Sequence, residues 1–272
     1  MLIWKNTKTL DGLIDDLPQT KKSLDAEIIL MGSKEVKLND FPKLKGIFRV
    51  GVSTTNVPEK KALNRNVEVC YPSEKTKNFI YEETANFTCN LLFKSNYQNI
   101  GTIKPWEKYN RKAFSEKFLL IVGAGRVGSM VKQKMSSFLK ILVYDPLKYP
   151  ERNINPLIMK SDFISLHIPD SDSNIGFFGS EKLGLMKNKS TLINTSRGRI
   201  VDENALYNEV KSKRIKAAFD VFWEEPYNGK LLDCDPEYFL MSPHVASTCE
   251  EFLSGSVLDL KNFIKKLKNK HD

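Results

Sequence analysis

Histidine and cysteine are scarce in this chain, three and four among 272 residues. The cysteines, Cys70, Cys89, Cys234 and Cys249, are scattered and form no C-x-x-C pair, so neither a redox dithiol nor a zinc ribbon is in view and no metal site is expected. A reducing compartment, the cytoplasm, is the simplest expectation. No apolar run is long enough to span a membrane. The opening Met1-Leu2-Ile3-Trp4-Lys5 lacks the basic, long apolar and cleavage regions of a secretory leader and reads as a strand. No internal repeat or low-complexity tract stands out. Arginine is sparse too, eight against 34 lysines. The net charge of +9 would suit a nucleic-acid partner. The lysines, however, alternate with Glu, Asp and Asn, and the one dense block, Lys265 to Lys270, closes a helix whose negative dipole end suits cations. No nucleic-acid or membrane partner is expected.

What is present is a change of rhythm. Short strand candidates at 1–5, Glu27–Met31, Gly46–Val50 and Val67–Tyr71 precede a helix-period stretch from about Thr76 to Phe93. Residues 94–116 are polar, broken by Lys104-Pro105, and read as a crossing between domains. Apolar runs then recur at Phe118–Val122, Ile141–Tyr144, Phe163–His167, Thr191–Asn194, Ala217–Val221 and Tyr238–Met241, mostly with helices between. Val127, Met130, Val131, Met135 and Phe138 share one helical face. Ser180 is a candidate cap for 181–187 and Asp202 for 203–213. A last amphipathic helix runs from about Thr248 to Leu267. Strands alternating with helices predict a doubly wound parallel sheet.

Gly123-Ala124-Gly125-Arg126-Val127-Gly128 joins the first of these later strands to a helix. Gly123 permits the tight turn, Gly125 lets backbone approach a pyrophosphate, and Gly128 lets helix and strand pack closely. The helix N-terminus supplies free N–H groups for phosphates. Asp145 ends the next strand, twenty residues after Gly125. A carboxylate there accepts the adenosine ribose hydroxyls and repels a 2′-phosphate, which favours NAD over NADP.

Three more residues follow apolar runs, at the strand ends where open α/β sheets collect ligands. Arg197 lies in Asn194-Thr195-Ser196-Arg197-Gly198, and its planar guanidinium can grip a carboxylate through two parallel bonds. Arg199 is the surface arginine of the pair. Glu225 belongs to Asp220-Val221-Phe222-Trp223-Glu224-Glu225-Pro226, and His244 to Ser242-Pro243-His244-Val245-Ala246. Alone they read as a solvated acid and a structural histidine. Together, a carboxylate on one imidazole nitrogen fixes the tautomer and favours the protonated ring, so the other nitrogen can give a proton to a carbonyl. His167 competes for that role but ends a strand on the adenosine side.

These blocks make the chain resemble the D-isomer-specific 2-hydroxyacid dehydrogenases, from about Leu44 to the last helix. The match includes Leu44 to Val52, Gly123 to Gly128 with Asp145-Pro146, Ser165 to Pro169, Ile193 to Glu203, Asp220 to Pro226 and Ser242 to Ala246. The resemblance implies an NAD-binding Rossmann domain at 98–247. It also implies a smaller flavodoxin-like α/β substrate domain at 1–97, completed by the helix at 248–272, with the site in the cleft between them. Arg197 would anchor substrate, His244 would be acid/base and Glu225 its partner. The Val50-Gly51-Val52 backbone would hold the substrate carboxylate. Gly123, Gly125, Arg126, Val127, Gly128, Asp145, His167, Ile168, Pro169, Thr195 and Ser196 would bind NAD, and Asp220 would face the nicotinamide carboxamide. A homodimer is implied as well. The chain departs from the family where Ser53, Thr54 and Thr55 precede Asn56, and where Leu30 to Lys34 lacks the arginine of phosphoglycerate-specific members. Glu225 replaces the glutamine of formate-type members. The expected activity is NAD-dependent interconversion of a small 2-keto acid, such as glyoxylate or hydroxypyruvate, with its D-2-hydroxy acid. Phosphoglycerate dehydrogenase-type chemistry and an NAD(H)-sensing scaffold are the alternatives.

Overall fold

The computed structural model describes residues 1–271 and divides the chain into two compact units, residues 1–81 with those from 248 on, and 82–247.

The first unit carries four short parallel strands, β1 (Ile3–Lys5), β2 (Ile28–Met31), β3 (Gly46–Arg49) and β4 (Glu68–Cys70), in the order β1-β2-β3-β4. The strand pleat sends alternate side chains to opposite faces. Ile28, Leu30 and Phe48 pack with Phe252, Leu260, Phe263 and Leu267 of the final helix, Glu250–His271. Ile29, Met31 and Ile47 pack on the other face with Leu38, Phe41 and Ala62. The layering is α/β. On the outer side of β1, Ile3 forms a parallel bridge with Gln19: Ile3 N–H donates to the Pro18 carbonyl and Thr20 N–H to the Ile3 carbonyl, both at 2.9 Å. With this short segment counted as the second strand the order is 2-1-3-4-5, the flavodoxin order.

In the second unit six parallel strands are ordered β12-β11-β10-β9-β7-β8. They are β7 (Phe118–Val122), β8 (Lys140–Tyr144), β9 (Phe163–Leu166), β10 (Thr191–Asn194), β11 (Lys216–Phe219) and β12 (Phe239–Met241). Between β4 and β7 lie a helix, Glu74–Tyr97, and a small antiparallel hairpin, β5 (Gly101–Thr102) with β6 (Glu107–Lys108). The sheet is buried on both faces. Leu120, Val122, Ile164, Leu166, Leu192 and Phe219 face one core cluster, and Leu119, Ile121, Phe163, Ile193 and Ala218 face the other. The chain turns from one half of the sheet to the other between β7 and β9, the place where such sheets bind ligands. β8 forms one edge, and the carbonyl of Val143 is covered there by Arg152 Nη1 at 2.8 Å.

The helices number α1 (Glu59–Leu63), α2 (Glu74–Tyr97), α3 (Arg126–Met135), α4 (Ile154–Lys160), α5 (Ser180–Gly184), α6 (Glu203–Lys211) and α7 (Glu250–His271). Asp202 caps α6, accepting Ala205 N–H at 2.7 Å. Ser180 does not cap α5; it is the first helical residue, behind Gly179. On α3, Val131 and Met135 are buried; Phe138, expected on the same helical face, lies in the turn beyond the helix, half exposed, its ring edge-on to Phe93 at 5.2 Å.

Two expectations need correction. Residues 94–116 are no crossing: α2 runs on to Tyr97, the β5–β6 hairpin follows, and the whole stretch belongs to the second unit. The division falls inside α2, at 81/82 rather than 97/98. The reason is packing. Ile80 joins the core of the first unit, whereas Ala85, Cys89, Leu91 and Leu92 are buried with Leu119 and Ile121 of β7.

Candidate active site

The glycine turn follows β7 and opens α3. Gly123 has φ +92°, and a Cβ on it would meet the His167 carbonyl oxygen at 2.7 Å. A Cβ on Gly128 would run into the Gly123 carbonyl. Gly125 differs from both, since nothing lies within 4 Å of a Cβ placed there. Its side-chain-free face looks onto open space in front of the α3 N-terminus, a cradle that fits a pyrophosphate. Asp145 is buried. Its Oδ2 accepts Ala124 N–H at 2.8 Å and its Oδ1 accepts Leu147 N–H at 3.0 Å, so each oxygen keeps acceptor capacity for a ribose hydroxyl. Lys148 donates to the Ala124 carbonyl beside it. Arg126 is exposed at the start of α3, with Val127 half-buried behind it.

After β9, His167 is tied to β7 through its N–H and the Val122 carbonyl, at 2.7 Å. Its Nε2 lies 2.8 Å from Ser165 Oγ, and burial lowers its pKa from 6.5 to about 4. The ring is therefore neutral at physiological pH, which removes it as a proton donor there. Ile168 packs against Gly123, and exposed Pro169 accepts the Asn174 amide at 2.9 Å.

The end of β10 is braced from within. Thr195 Oγ1 pairs with Thr88 Oγ1 of α2 at 2.8 Å. Ser196 Oγ donates to the Leu166 carbonyl at 2.8 Å. Asn194 accepts Ser196 N–H at 2.9 Å and donates to the Arg197 carbonyl at 2.8 Å, fixing the turn that presents Arg197. Thr195 and Ser196 thus spend their hydroxyls on this scaffold. Arg197 is half-buried, and its Nη1 donates to the Ser196 carbonyl at 2.6 Å. Burial depresses its pKa, and the carboxylates of Glu225 and Asp170 oppose that shift. Arg199 is exposed, as a surface arginine should be.

His244 and Glu225 meet: Nδ1 to Oε2 is 2.7 Å, and Glu225 Oε1 accepts Phe222 N–H at 3.2 Å. Burial pushes the Glu225 carboxyl up, but the His244 hydrogen bond and charge, the Phe222 N–H and Arg197 outweigh it and hold the group below its ordinary value. The pair stays ionic at Glu225, leaving the His244 Nε2 edge for a substrate oxygen. Gly198 keeps the Arg197 and Glu225 loops together, because a Cβ there would strike the Phe222 backbone. Arg197, Glu225 and His244 therefore lie together at the carboxyl end of the sheet.

Asp220 has a task that sequence reasoning missed. It is fully buried, and Oδ1 accepts Ser242 Oγ at 2.6 Å and Val245 N–H at 2.9 Å, while Oδ2 accepts Ala246 N–H at 2.9 Å. These bonds bracket His244, whose φ of +54° is rare for a residue with a side chain. The carboxylate clamps the histidine loop in that conformation. The signal was available: an acid inside the apolar run Ala217–Val221 needs buried donors.

In the first unit, Val50-Gly51-Val52 follows β3. Val50 N–H bonds to the Met31 carbonyl at 2.9 Å, and Gly51 has φ +118°. Buried Arg49 curls beneath this turn and donates to the Val50 carbonyl, a second support the sequence reading passed over. Asn56 Nδ2 reaches the Gly32 carbonyl at 2.9 Å, joining the two segments where the chain departs from the family pattern. Among the described residues there is no group of His, Cys, Asp and Glu that could hold a metal, and no helix long and apolar enough to cross a membrane.

Comparison with known proteins bears on the family and the fold. Residues 92–246 match the family model for the D-isomer specific 2-hydroxyacid dehydrogenase, NAD binding domain. D-3-phosphoglycerate dehydrogenase of Methanocaldococcus jannaschii is 29% identical over 93% of this chain and 51% of its own, so the chain spans about half the length of that relative. Glyoxylate reductase of Thermococcus litoralis is 30% identical over 96% of this chain and 86% of its own. Among solved structures, D-lactate dehydrogenase from Aquifex aeolicus, complexed with NAD and lactic acid, shares the fold with a TM-score of 0.77 at 20% identity, covering 99% of this chain and 97% of that one. The chain belongs to the D-isomer specific 2-hydroxyacid dehydrogenase family and is an oxidoreductase with NAD(P) as its cofactor.

Proposed function

We propose that this chain interconverts a small 2-keto acid, such as glyoxylate or hydroxypyruvate, and its D-2-hydroxy acid with NADH as the preferred donor. The observation that carries the reading is the 2.7 Å contact between His244 Nδ1 and Glu225 beside half-buried Arg197. Bound at the glycine turn, the dinucleotide supplies or accepts the hydride. Arg197 grips the carboxylate of the acid and polarises its carbonyl. His244 gives the proton from Nε2 to the oxygen that becomes the hydroxyl, and Glu225 stabilises the imidazolium beforehand. In the reverse direction the neutral ring takes that proton back. In the first unit, the Val50-Gly51-Val52 backbone, with its left-handed Gly51, is the proposed N–H donor to a substrate carboxylate.

Asp145 supports NADH over NADPH, with Lys148 as the neighbouring charge that would soften the preference. The four cysteines are free thiols, in keeping with the cytoplasm. A homodimer is the proposed assembly. The β5–β6 hairpin supports it by exposing Ile103 and Trp106, 71% and 74% accessible.

The deciding experiment is NADH oxidation against glyoxylate, hydroxypyruvate, pyruvate, longer 2-keto acids and phosphohydroxypyruvate. Turnover of the small acids is expected. Preference for phosphohydroxypyruvate would reassign the substrate to the phosphoglycerate type. NADH binding without turnover of any acid would leave a dinucleotide-sensing scaffold.

A further inference from the structure

Asp170 stands on the loop after β9, three residues beyond His167. That loop starts against the glycine turn, where a Cβ on Gly123 would touch the His167 carbonyl and Ile168. By Asp170 it has reached the arginines after β10: Oδ2 lies 4.0 Å from Arg199 Nη1, and the carboxylate acts on Arg197. Asp170 therefore lies along the path from the phosphate cradle to the substrate anchor. Its side chain is 17% exposed, and among the described residues its buried Oδ1 has no hydrogen-bond partner. Asn174, the side-chain amide of the same loop, donates to the Pro169 carbonyl instead. A buried carboxylate oxygen without a donor is costly, and such groups commonly meet theirs in a ligand.

The ligand groups that could reach this path sort by chemistry. Phosphates and the substrate carboxylate bring acceptors and negative charge, which Asp170 repels. The adenosine ribose has its own carboxylate, Asp145, at the end of β8 on the far side of β7. What remains is the second ribose, a neutral diol that follows the pyrophosphate toward the reacting ring.

We propose that Asp170 accepts a hydrogen bond from a hydroxyl of the nicotinamide-side ribose and so fixes that half of the dinucleotide in front of Arg197 and His244. The proposal rests on the dinucleotide reading of Gly123 to Gly128. It makes Asp170 the second of two ribose-reading carboxylates, one on each side of the phosphate cradle.

Calorimetric titration with ADP, ADP-ribose and NADH tests this, with KM for the keto acid measured alongside. ADP lacks the second ribose; ADP-ribose has it but lacks the nicotinamide. D170A should weaken ADP-ribose and NADH about tenfold, the worth of one hydrogen bond to a charged group, and leave ADP unchanged. D170N, which keeps an acceptor, should fall between. Because the substitution removes an unpaired buried oxygen, the melting temperature of ligand-free D170A should not fall. Equal ADP-ribose affinity in wild type and D170A overturns the proposal. Loss confined to NADH assigns the contact to the nicotinamide instead, and an effect only on KM for the keto acid makes Asp170 a brace for Arg197; either result also overturns it. Wild type that binds none of the three ligands sinks the dinucleotide reading, and the proposal with it.

Discussion

At the scale of the residue, the chemistry divides between two histidines that the sequence left in competition. Environment separates them. His244 has a carboxylate at 2.7 Å, whereas His167 has a serine hydroxyl and a buried ring. Replacing His244 with Gln should lower kcat by roughly two to four orders of magnitude with NADH affinity nearly unchanged, since a positioned acid/base is worth that much. Glu225→Gln should lower kcat with little change in NADH affinity, because the carboxylate that holds His244 Nδ1 at 2.7 Å is gone. Unchanged turnover would reduce Glu225 to a loop acid. His167 should announce itself in stability instead. Its folded pKa of about 4 lies below its ordinary 6.5, so as pH falls through that window only the unfolded chain takes up the proton. The protein should lose stability between pH 6.5 and about 4 on this account and be unaffected above it. Urea midpoints across the window should fall in wild type and flatten in His167→Gln. The meeting of Glu225 and His244 was legible because each is a distinctive residue type just past an apolar run. The bonds of Asp220 and Arg49 were not, because they depend on which groups fold against them.

At the scale of the element, Gly125 at the N-terminus of α3 and Gly128 within its first turn should respond differently to the same methyl group. Gly128→Ala drives a Cβ into the Gly123 carbonyl and should lower stability by about 1–3 kcal/mol, read by urea melts. Gly125→Ala meets nothing within 4 Å, so the ligand-free protein should melt normally while NADH affinity collapses. Equal melting of the two variants would mean that the turn tolerates contact at Gly128. The loop after β12 offers a parallel case. Asp220→Ala removes three hydrogen bonds that hold His244 at positive φ. It should cut kcat far more than it raises KM for the acid, as expected if the histidine is no longer aimed; a KM effect alone would place Asp220 with substrate binding. The strands themselves were easy to read, since a two-sided parallel sheet demands near-continuous apolar runs. The β5–β6 hairpin was hard, because two-residue strands of polar composition carry no periodicity.

At the scale of the whole molecule, the sequence conveyed two sheets but not the seam. α2 is continuous from Glu74 to Tyr97, and a helix crossing from one core to another leaves no break to find. The oligomer is likewise a surface property. Light scattering should report twice the chain mass, and Ile103→Lys with Trp106→Lys should shift it toward one; a wild-type monomer would refute the dimer.

The Arg152 contact on Val143 bears on what the molecule refuses to join. A parallel sheet ending in a bare strand is an invitation to any extended segment, including the same strand of another copy. On β8 a guanidinium already occupies the outward carbonyl of Val143, and Lys140 charges the strand's start. One outward pairing group of that edge is thereby filled and a charge stands at its start, two devices that discourage the addition of another strand.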